Sequence, residues 1–213
     1  MTNPFDQSRY QVRLEWGADG LERLAPAEIT VVVDVLRFSS TIAARVAAGE
    51  TVPLDGASHA VSINGAAVAA RAAATGTLVL LGALTNASAV ARAILIHQQR
   101  RGERTAINVI AGGELPSRER GAPLRFAVED LLGAGAVIDA LVGVGIDHTS
   151  PEAAAAGEAF RGLRGATRHL LTASGSGQEL LAADRRDEVL AAAEVDALNA
   201  VPALRDGRFT PFR

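Results

Sequence analysis

The fold is decided by the stretch ITVVVDVLRFSSTIAARVAA, residues Ile29–Ala48. Its first five residues, Ile29–Val33, form a continuous apolar or β-branched run, which is typical of a parallel strand buried on both faces. The alanine-rich residues from Ser39 to Ala48 predict a helix that Gly49 ends. A buried strand that leads directly into a helix indicates an α/β protein.

Polar side chains stand where this predicted strand meets the helix. Asp34 follows the strand, Arg37 comes next, and Ser39, Ser40 and Thr41 open the helix. In open α/β sheets, ligands bind at the carboxyl ends of the strands, because unpaired N–H groups and the dipole of the following helix favour anions there. The cluster therefore predicts an anion and metal site. The alternative is a polar strand end followed by a helix-capping serine.

The composition restricts the chemistry of any site. The 213 residues include no cysteine and no lysine, so all 21 basic residues are arginines. Thiolate nucleophiles, cysteine-based metal sites and lysine Schiff bases are thereby excluded. Any side-chain cation that binds a phosphate or sulfonate must be a guanidinium group.

The composition also restricts the partners. The formal net charge is −3 and only 4% of the residues are aromatic, so we expect no nucleic-acid partner. No apolar run approaches the roughly 20 residues that span a membrane, and the N-terminus lacks a basic-then-apolar signal pattern. These patterns predict a cytoplasmic protein with no membrane partner. The apolar segment Ala134–Leu141 suits either the core or a homodimer contact.

Strand and helix patterns alternate along most of the chain. Further strands are predicted at Tyr10–Trp16, Thr51–Leu54, Leu78–Leu81, Thr105–Ala111 and within Leu198–Phe212. Further helices are predicted at Ala66–Ala74, Ala87–His97, Phe126–Leu141, Pro151–Leu163, Arg164–Leu171 and Asp184–Val195. Beyond about residue 150 the pattern is mostly helical. We expect one domain over residues 1–213, a three-layer α/β/α sandwich around a mainly parallel or mixed sheet.

Other polar candidates follow the later strands. Asn64 and Gly65 form a turn signal before a helix, which repeats the strand-end placement described above. Asn86 begins the next helix and is either a second polar strand end or a helix N-cap. Glu129 and Asp130 lie in the first turn of a helix, where acidic residues suit the dipole. Two adjacent carboxylates among apolar residues are alternatively a metal or proton-transfer pair.

Two loops carry further candidates. Leu115–Leu124 contains Arg118 and Arg120 and either closes over a ligand or simply connects two elements. Thr172–Gly177, TASGSG, predicts a Gly-Ser turn that either offers N–H groups to an anion or serves as a linker. The four histidines show no paired metal-ligand spacing.

Six blocks of the sequence share their order and spacing with one enzyme family. They are Val31–Ala43, Ser62–Ala70, Leu78–Ile94, Ile107–Glu114, Phe126–Leu141 and Val195–Gly207. The most specific pieces are DVLRFSST, which begins at Asp34, and EDLLGAGAVIDAL, which begins at Glu129. Together the blocks resemble the 2-phosphosulfolactate phosphatase family over most of the chain.

The resemblance implies a Mg²⁺-dependent phosphoric monoester hydrolase. Its small anionic substrate would be 2-phospho-3-sulfolactate, converted to 3-sulfolactate and phosphate on the way to coenzyme M. The implied catalytic residues are Asp34, Glu129 and Asp130, with Asp34 as metal ligand or nucleophile and Glu129 as a second metal ligand. The implied substrate-binding residues are Arg37, Ser39, Ser40, Thr41, Asn64, Gly65 and Asn86.

One departure from the family pattern supports a different function. Similar family members carry a longer segment before the Asn-Gly turn, whereas Leu54–Ile63 joins the two blocks here in a few residues. The alternative is therefore a non-catalytic anion-binding or regulatory protein that kept the fold and lost the substrate segment.

Overall fold

A computed structural model describes residues 3–55, 64–115 and 123–213. The strands in this part of the chain are β1 (Val12–Trp16), β2 (Ile29–Val33), β3 (Val52–Pro53), β4 (Leu78–Gly82), β5 (Ile107–Ala111), β6 (Pro202–Arg205) and β7 (Arg208–Pro211). The helices are α1 (Gly17–Arg23), α2 (Phe38–Ala47), α3 (Gly65–Ala74), α4 (Ala87–Arg101), α5 (Val128–Gly143), α6 (Pro151–Leu163), α7 (Thr167–Ala173), α8 (Gly175–Ala182) and α9 (Arg186–Ala192).

The described strands form one mixed sheet in the order β1-β5-β2-β4-β6-β7-β3. The first four strands of this order are parallel, and β6, β7 and β3 continue the sheet with antiparallel pairings. Val33 at the end of β2 pairs with Gly82 on one side and with Ala111 on the other. The carboxyl ends of three adjacent strands therefore meet at one edge.

Helices cover both faces of this sheet. Val31 and Val33 belong to a core that includes residues of α4, α5 and α6. Val32, between them, belongs to a second core with residues of α1, α2 and α3. The alternation of neighbouring strand residues between two cores explains the continuous apolar run of β2. The predicted three-layer α/β/α sandwich with a mixed sheet is confirmed.

The structure corrects one predicted element. The predicted Gly-Ser turn at Thr172–Gly177 is reduced to Ser174, because α7 extends to Ala173 and α8 begins at Gly175. The Ser174 hydroxyl accepts a hydrogen bond from the N–H of Gly177 at 3.1 Å and caps the new helix. A serine at the N-cap position, with the helix-favouring residues Gln178–Leu181 later in the same helix, is a helix start signal that the glycines obscured.

Helix α5 lies in the core rather than on the surface. Val137, Ile138 and Leu141 are at most 1% exposed, which confirms the core interpretation of this segment. None of the described helices combines the length and apolarity that crossing a bilayer requires.

Two glycines let α5 pack closely against its neighbours. A Cβ atom at Gly133 would lie 2.4 Å from Cγ2 of Val35, and one at Gly135 would lie 2.2 Å from the carbonyl oxygen of Ala156. Real side chains do not approach so closely, so α5 sits nearer to β2 and α6 than any larger residue would allow. This close approach fixes where the first turn of α5 lies.

We predict that Gly135→Ala lowers the free energy of unfolding by about 1–3 kcal/mol, because the added methyl group forces α5 and α6 apart. Urea denaturation measures this change. Gly143, the last residue of the same helix, is the matched control, because a Cβ atom added there would have no neighbour within 4 Å. Gly143→Ala should leave stability unchanged or raise it by up to about 1 kcal/mol. Equal denaturation midpoints for Gly135→Ala and the wild type would contradict the close packing.

Candidate active site

The carboxylate of Asp34 joins the end of β2 to the starts of two helices. Its Oδ1 accepts a hydrogen bond from the N–H of Phe38, and its Oδ2 accepts one from the N–H of Gly65, both at 3.1 Å. These N–H groups begin α2 and α3, so both helix dipoles favour a negative charge here. Asp34 is 6% exposed, and its carboxylate is held in a fixed position.

Glycine at position 65 is required by this contact. A Cβ atom there would lie 2.6 Å from Oδ2 of Asp34 and 2.8 Å from Cδ1 of Phe38. The preceding residue, Asn64, donates from Nδ2 to the carbonyl oxygen of Gly113 at 2.5 Å. The predicted Asn-Gly turn therefore links the ends of β2 and β5.

Asp130 ties the same two strand ends together from the opposite side. Its Oδ1 accepts from the N–H of Val35 at 2.7 Å, and its Oδ2 accepts from the N–H of Gly113 at 2.8 Å. Burial, followed by the charges of Asp34 and Glu129, raises the pKa of the Asp130 carboxyl well above its ordinary value. The two N–H groups oppose this rise without cancelling it.

Glu129 is buried beside Asp130 at the start of α5. It is 2% exposed, and its Oε2 has no hydrogen-bond partner among the described residues. Burial is the largest cause that raises the pKa of the Glu129 carboxyl, and the charge of Glu114 adds to it. A buried carboxylate oxygen without a partner is costly, so this atom is suited to a bound cation.

A cavity of about 440 Å³ opens at this edge of the sheet, and Asp34, Glu129 and Asp130 line it together. The structure thus brings the three predicted catalytic carboxylates to one place. The remaining charged groups in its described lining are Glu114, Glu179, Arg37, Arg125 and Arg185. Five carboxylates and three guanidinium groups give this lining a formal charge of −2.

The structure separates the predicted substrate-binding residues into groups. Arg37 and Asn64 line the cavity around the three carboxylates, the acidic cavity. Gly65 does not line it but donates a hydrogen bond to Asp34. Ser40 and Thr41 line a neighbouring cavity instead.

Two of the predicted residues form hydrogen bonds to main-chain atoms and do not line the acidic cavity. Ser39 donates from Oγ to the carbonyl oxygen of Val32 and accepts from the N–H of Asp34. Asn86 is fully buried, with Oδ1 accepting from the N–H of Ala83 at 2.9 Å. Its Nδ2 donates to the carbonyl oxygens of Leu81 and Ala200. Neither side chain lines the acidic cavity, because its polar atoms bond to nearby main chain.

Sequence reasoning missed a second group of cavity residues. Oε1 of Glu114 accepts from the N–H and the Oγ of Ser176 at 2.8 and 2.6 Å, while Oε2 pairs with Arg125 at 2.7 Å. A Cβ atom at Gly175 would lie 2.8 Å from Oε1 of Glu114, so the start of α8 also packs closely here. Glu114 directly follows two glycines after β5, and this strand-end position was the available signal.

A candidate metal site would use few protein ligands. Within the described ranges, no three histidine or acidic side chains lie close enough together to form a metal cage. Mg²⁺ commonly takes one or two carboxylates and completes its shell with water and phosphate oxygens. The unpartnered Oε2 of Glu129 and the carboxylate of Asp34 fit this kind of site. Arg118 and Arg120, predicted on a closing loop, lie outside the described residues.

We predict that Asp130→Ala lowers the free energy of unfolding by about 2–4 kcal/mol, because two buried N–H groups lose their acceptor. Urea denaturation measures the loss. The control is Asp139→Ala on the same helix, where a partly exposed carboxylate pairs with Arg161. Its removal should cost less than about 1 kcal/mol. Similar losses for the two variants would contradict the anchoring role of Asp130.

We also predict that the metal-free protein becomes less stable as the pH rises above the ordinary carboxyl range. Raised pKa values at Glu129 and Asp130 mean that the folded state binds protons more tightly than the unfolded state. The contribution of these two groups to stability is then greatest at low pH and is lost as the pH rises through the raised pKa values. Glu129→Gln removes one of these groups, so its melting temperature should exceed that of the wild type by a margin that grows with pH.

The measurement is thermal unfolding in EDTA across the acidic to neutral range. Glu152 is exposed in the first turn of α6, and Glu152→Gln is the matched control that should show no such gain. A difference in melting temperature between Glu129→Gln and the wild type that stays constant with pH would refute the raised pKa of Glu129.

Comparison with protein-family models supplies independent evidence on ancestry. Residues 56–207 match the model described as 2-phosphosulpholactate phosphatase. The match covers more than half of the 213 residues and includes Glu129 and Asp130, while Asp34 lies before it. The resemblance inferred from the sequence blocks is confirmed. The name of the matching family describes a phosphatase activity. The chain therefore belongs to the 2-phosphosulpholactate phosphatase family.

Proposed function

We propose that this protein is a Mg²⁺-dependent phosphatase that hydrolyses 2-phospho-3-sulfolactate to 3-sulfolactate and phosphate. The observation that carries the proposal is the convergence of Asp34, Glu129 and Asp130 on one cavity that arginines also line. In this reaction the ester O–P bond breaks and water supplies an oxygen to phosphorus. The released hydroxyl group of 3-sulfolactate takes a proton.

The charge of the cavity supports the need for a cation. An acidic lining repels a substrate that carries phosphate, sulfonate and carboxylate groups unless positive charge intervenes. Two of the lining arginines, Arg37 and Arg185, contact Glu188, and Arg125 pairs with Glu114. The arginines are thus partly neutralised already, so a divalent cation is the simplest source of the missing charge.

The donor set fits Mg²⁺ in this role. Asp34 and Glu129 would hold the ion, because both offer hard oxygen atoms to the cavity and Oε2 of Glu129 has no partner among the described groups. When bound, Mg²⁺ polarises the phosphoryl group and offsets the charge that develops on its oxygens.

The chain itself supplies position and anion binding. Asp130 keeps the backbone after β2 and β5 in place, which sets the distance between Asp34 and the opposite wall. Arg37 and Arg185 present guanidinium groups at one side of the cavity, where they can grip phosphate or sulfonate in two-point contacts. These groups orient the substrate so that water can attack in line with the leaving oxygen.

We predict that Asp34→Asn lowers the rate of phosphate release by roughly 10²–10⁴-fold, because it removes the charge that holds the cation. Release of phosphate from 2-phosphosulfolactate and from p-nitrophenyl phosphate, with Mg²⁺ and with EDTA, measures the effect. Wild-type activity should disappear in EDTA and return with added Mg²⁺. Circular dichroism and thermal melting establish that the variant is folded.

Asp187→Asn is the matched control, since Asp187 is exposed on α9 and does not line the acidic cavity. Its rate should equal that of the wild type. Activity that is unchanged by EDTA, or by Asp34→Asn, would contradict the proposed mechanism. Phosphate-dependent thermal stabilisation without any hydrolysis would instead support the non-catalytic anion-binding alternative.

A further inference from the structure

A second cavity of about 460 Å³ lies beside the acidic cavity, and Arg37 and Arg185 line both. Helix α2 forms one wall of this second cavity through Ser40, Thr41 and Ala44. Helix α9 and the segment that follows it form the opposite wall.

The body of the second cavity is mainly apolar. Its opposite wall includes four small or aliphatic side chains, namely Ala191, Ala192, Ala197 and Leu198. With Ala44 on α2, these residues line an open groove that suits a short hydrocarbon chain. Leu36, Leu115 and Leu180 also line the acidic cavity, but charged side chains form a larger part of its lining, so the two spaces suit different ligands.

Two hydroxyl groups beside this apolar space lack partners. Ser40 is 9% exposed and Thr85 is 4% exposed, and both residues line the second cavity. Their hydroxyl oxygens have no hydrogen-bond partner in the described parts of the chain. A buried hydroxyl without a hydrogen bond destabilises the fold, so these two groups favour a ligand that can accept from them.

The charges at the boundary between the cavities favour an anion. Glu188 contacts Arg37 at 3.2 Å, and its other oxygen accepts from Nε of Arg185 at 2.7 Å. One carboxylate shared by two guanidinium groups leaves a net formal charge of +1 in this trio. The other charged lining residues, Arg45 and Glu194, pair with Glu50 and Arg168 outside the cavity.

We propose that the second cavity binds a small organic anion with a short apolar tail, such as a medium-chain carboxylate. The carboxylate group lies near Arg37 and Arg185 and accepts hydrogen bonds from the hydroxyls of Ser40 and Thr85. The tail packs against the alanines of α2 and α9. This site needs no Mg²⁺ and no hydrolysis, and it shares only Arg37 and Arg185 with the substrate contacts proposed above, so hexanoate binding can be measured whether or not the protein is a phosphatase.

Isothermal titration calorimetry with hexanoate, in EDTA and without phosphoester, tests the proposal on the full chain. Hexanoate should bind with one molecule per chain. Acetate lacks the tail and 1-hexanol lacks the charge, so each should bind at least tenfold more weakly. Binding of 1-hexanol as tight as that of hexanoate, or no binding of hexanoate, would overturn the proposal.

Two exposed alanines on α2 provide matched variants. Ala44 lines the second cavity and Ala47 does not, although both side chains face solvent on the same helix. Ala44→Leu should fill the space and weaken hexanoate binding at least tenfold, whereas Ala47→Leu should leave the affinity within twofold of the wild type. Undiminished binding by Ala44→Leu would place hexanoate elsewhere and refute the site.

The hydroxyl groups are tested separately. Thr85→Val removes an unpartnered buried hydroxyl, so the ligand-free variant should melt at a higher temperature than the wild type. The same variant should bind hexanoate several-fold more weakly, because the carboxylate loses a donor. A wild-type affinity in Thr85→Val would contradict the contact assigned to this hydroxyl.

Discussion

The hydrogen bonds between the carboxylate of Asp130 and the N–H groups of Val35 and Gly113 are the contacts on which the rest of the site depends. They join the chain after β2 to the chain after β5, at the edge where both strands end. Because the close packing of Gly133 against Val35 fixes the start of α5, the carboxylate reaches both N–H groups. Packing in the core thus determines the geometry of the polar edge above it.

The same arrangement explains why acidic groups can crowd together here. The carboxylates of Asp34 and Asp130 each accept hydrogen bonds from two main-chain N–H groups. These hydrogen bonds offset part of the free-energy cost of burying the two carboxylates. Glu129 lacks this compensation at Oε2. Main-chain N–H groups therefore stabilise the carboxylates of Asp34 and Asp130, whereas Oε2 of Glu129 has no such donor among the described residues. The unpartnered Oε2 of Glu129 lowers the stability of the fold, and the proposed cation would relieve this cost.

The sequence predicted the sheet edge well and the individual contacts less well. Asp34 and Glu129 could be placed at this edge from the sequence, because Asp34 follows a buried strand and Glu129 lies in the first turn of a helix. Ser39 and Asn86 share those positions, but short polar side chains bond readily to nearby main chain, and only the structure distinguishes the two outcomes. Arg185 was missed because it lies between α8 and α9 in the helical C-terminal part, far along the chain from the strands whose ends it meets.

The distances along the chain between these partners bear on how the protein folds. Val35 and Asp130 are 95 residues apart, Glu114 and Ser176 are 62 apart, and Arg37 and Glu188 are 151 apart. Each contact closes a long loop, and the entropy lost in closing it is recovered only when the intervening elements have packed. We therefore expect the walls of the acidic cavity to be completed only when the whole chain has packed, so a variant that loosens any one of the intervening elements should disturb the cavity as well.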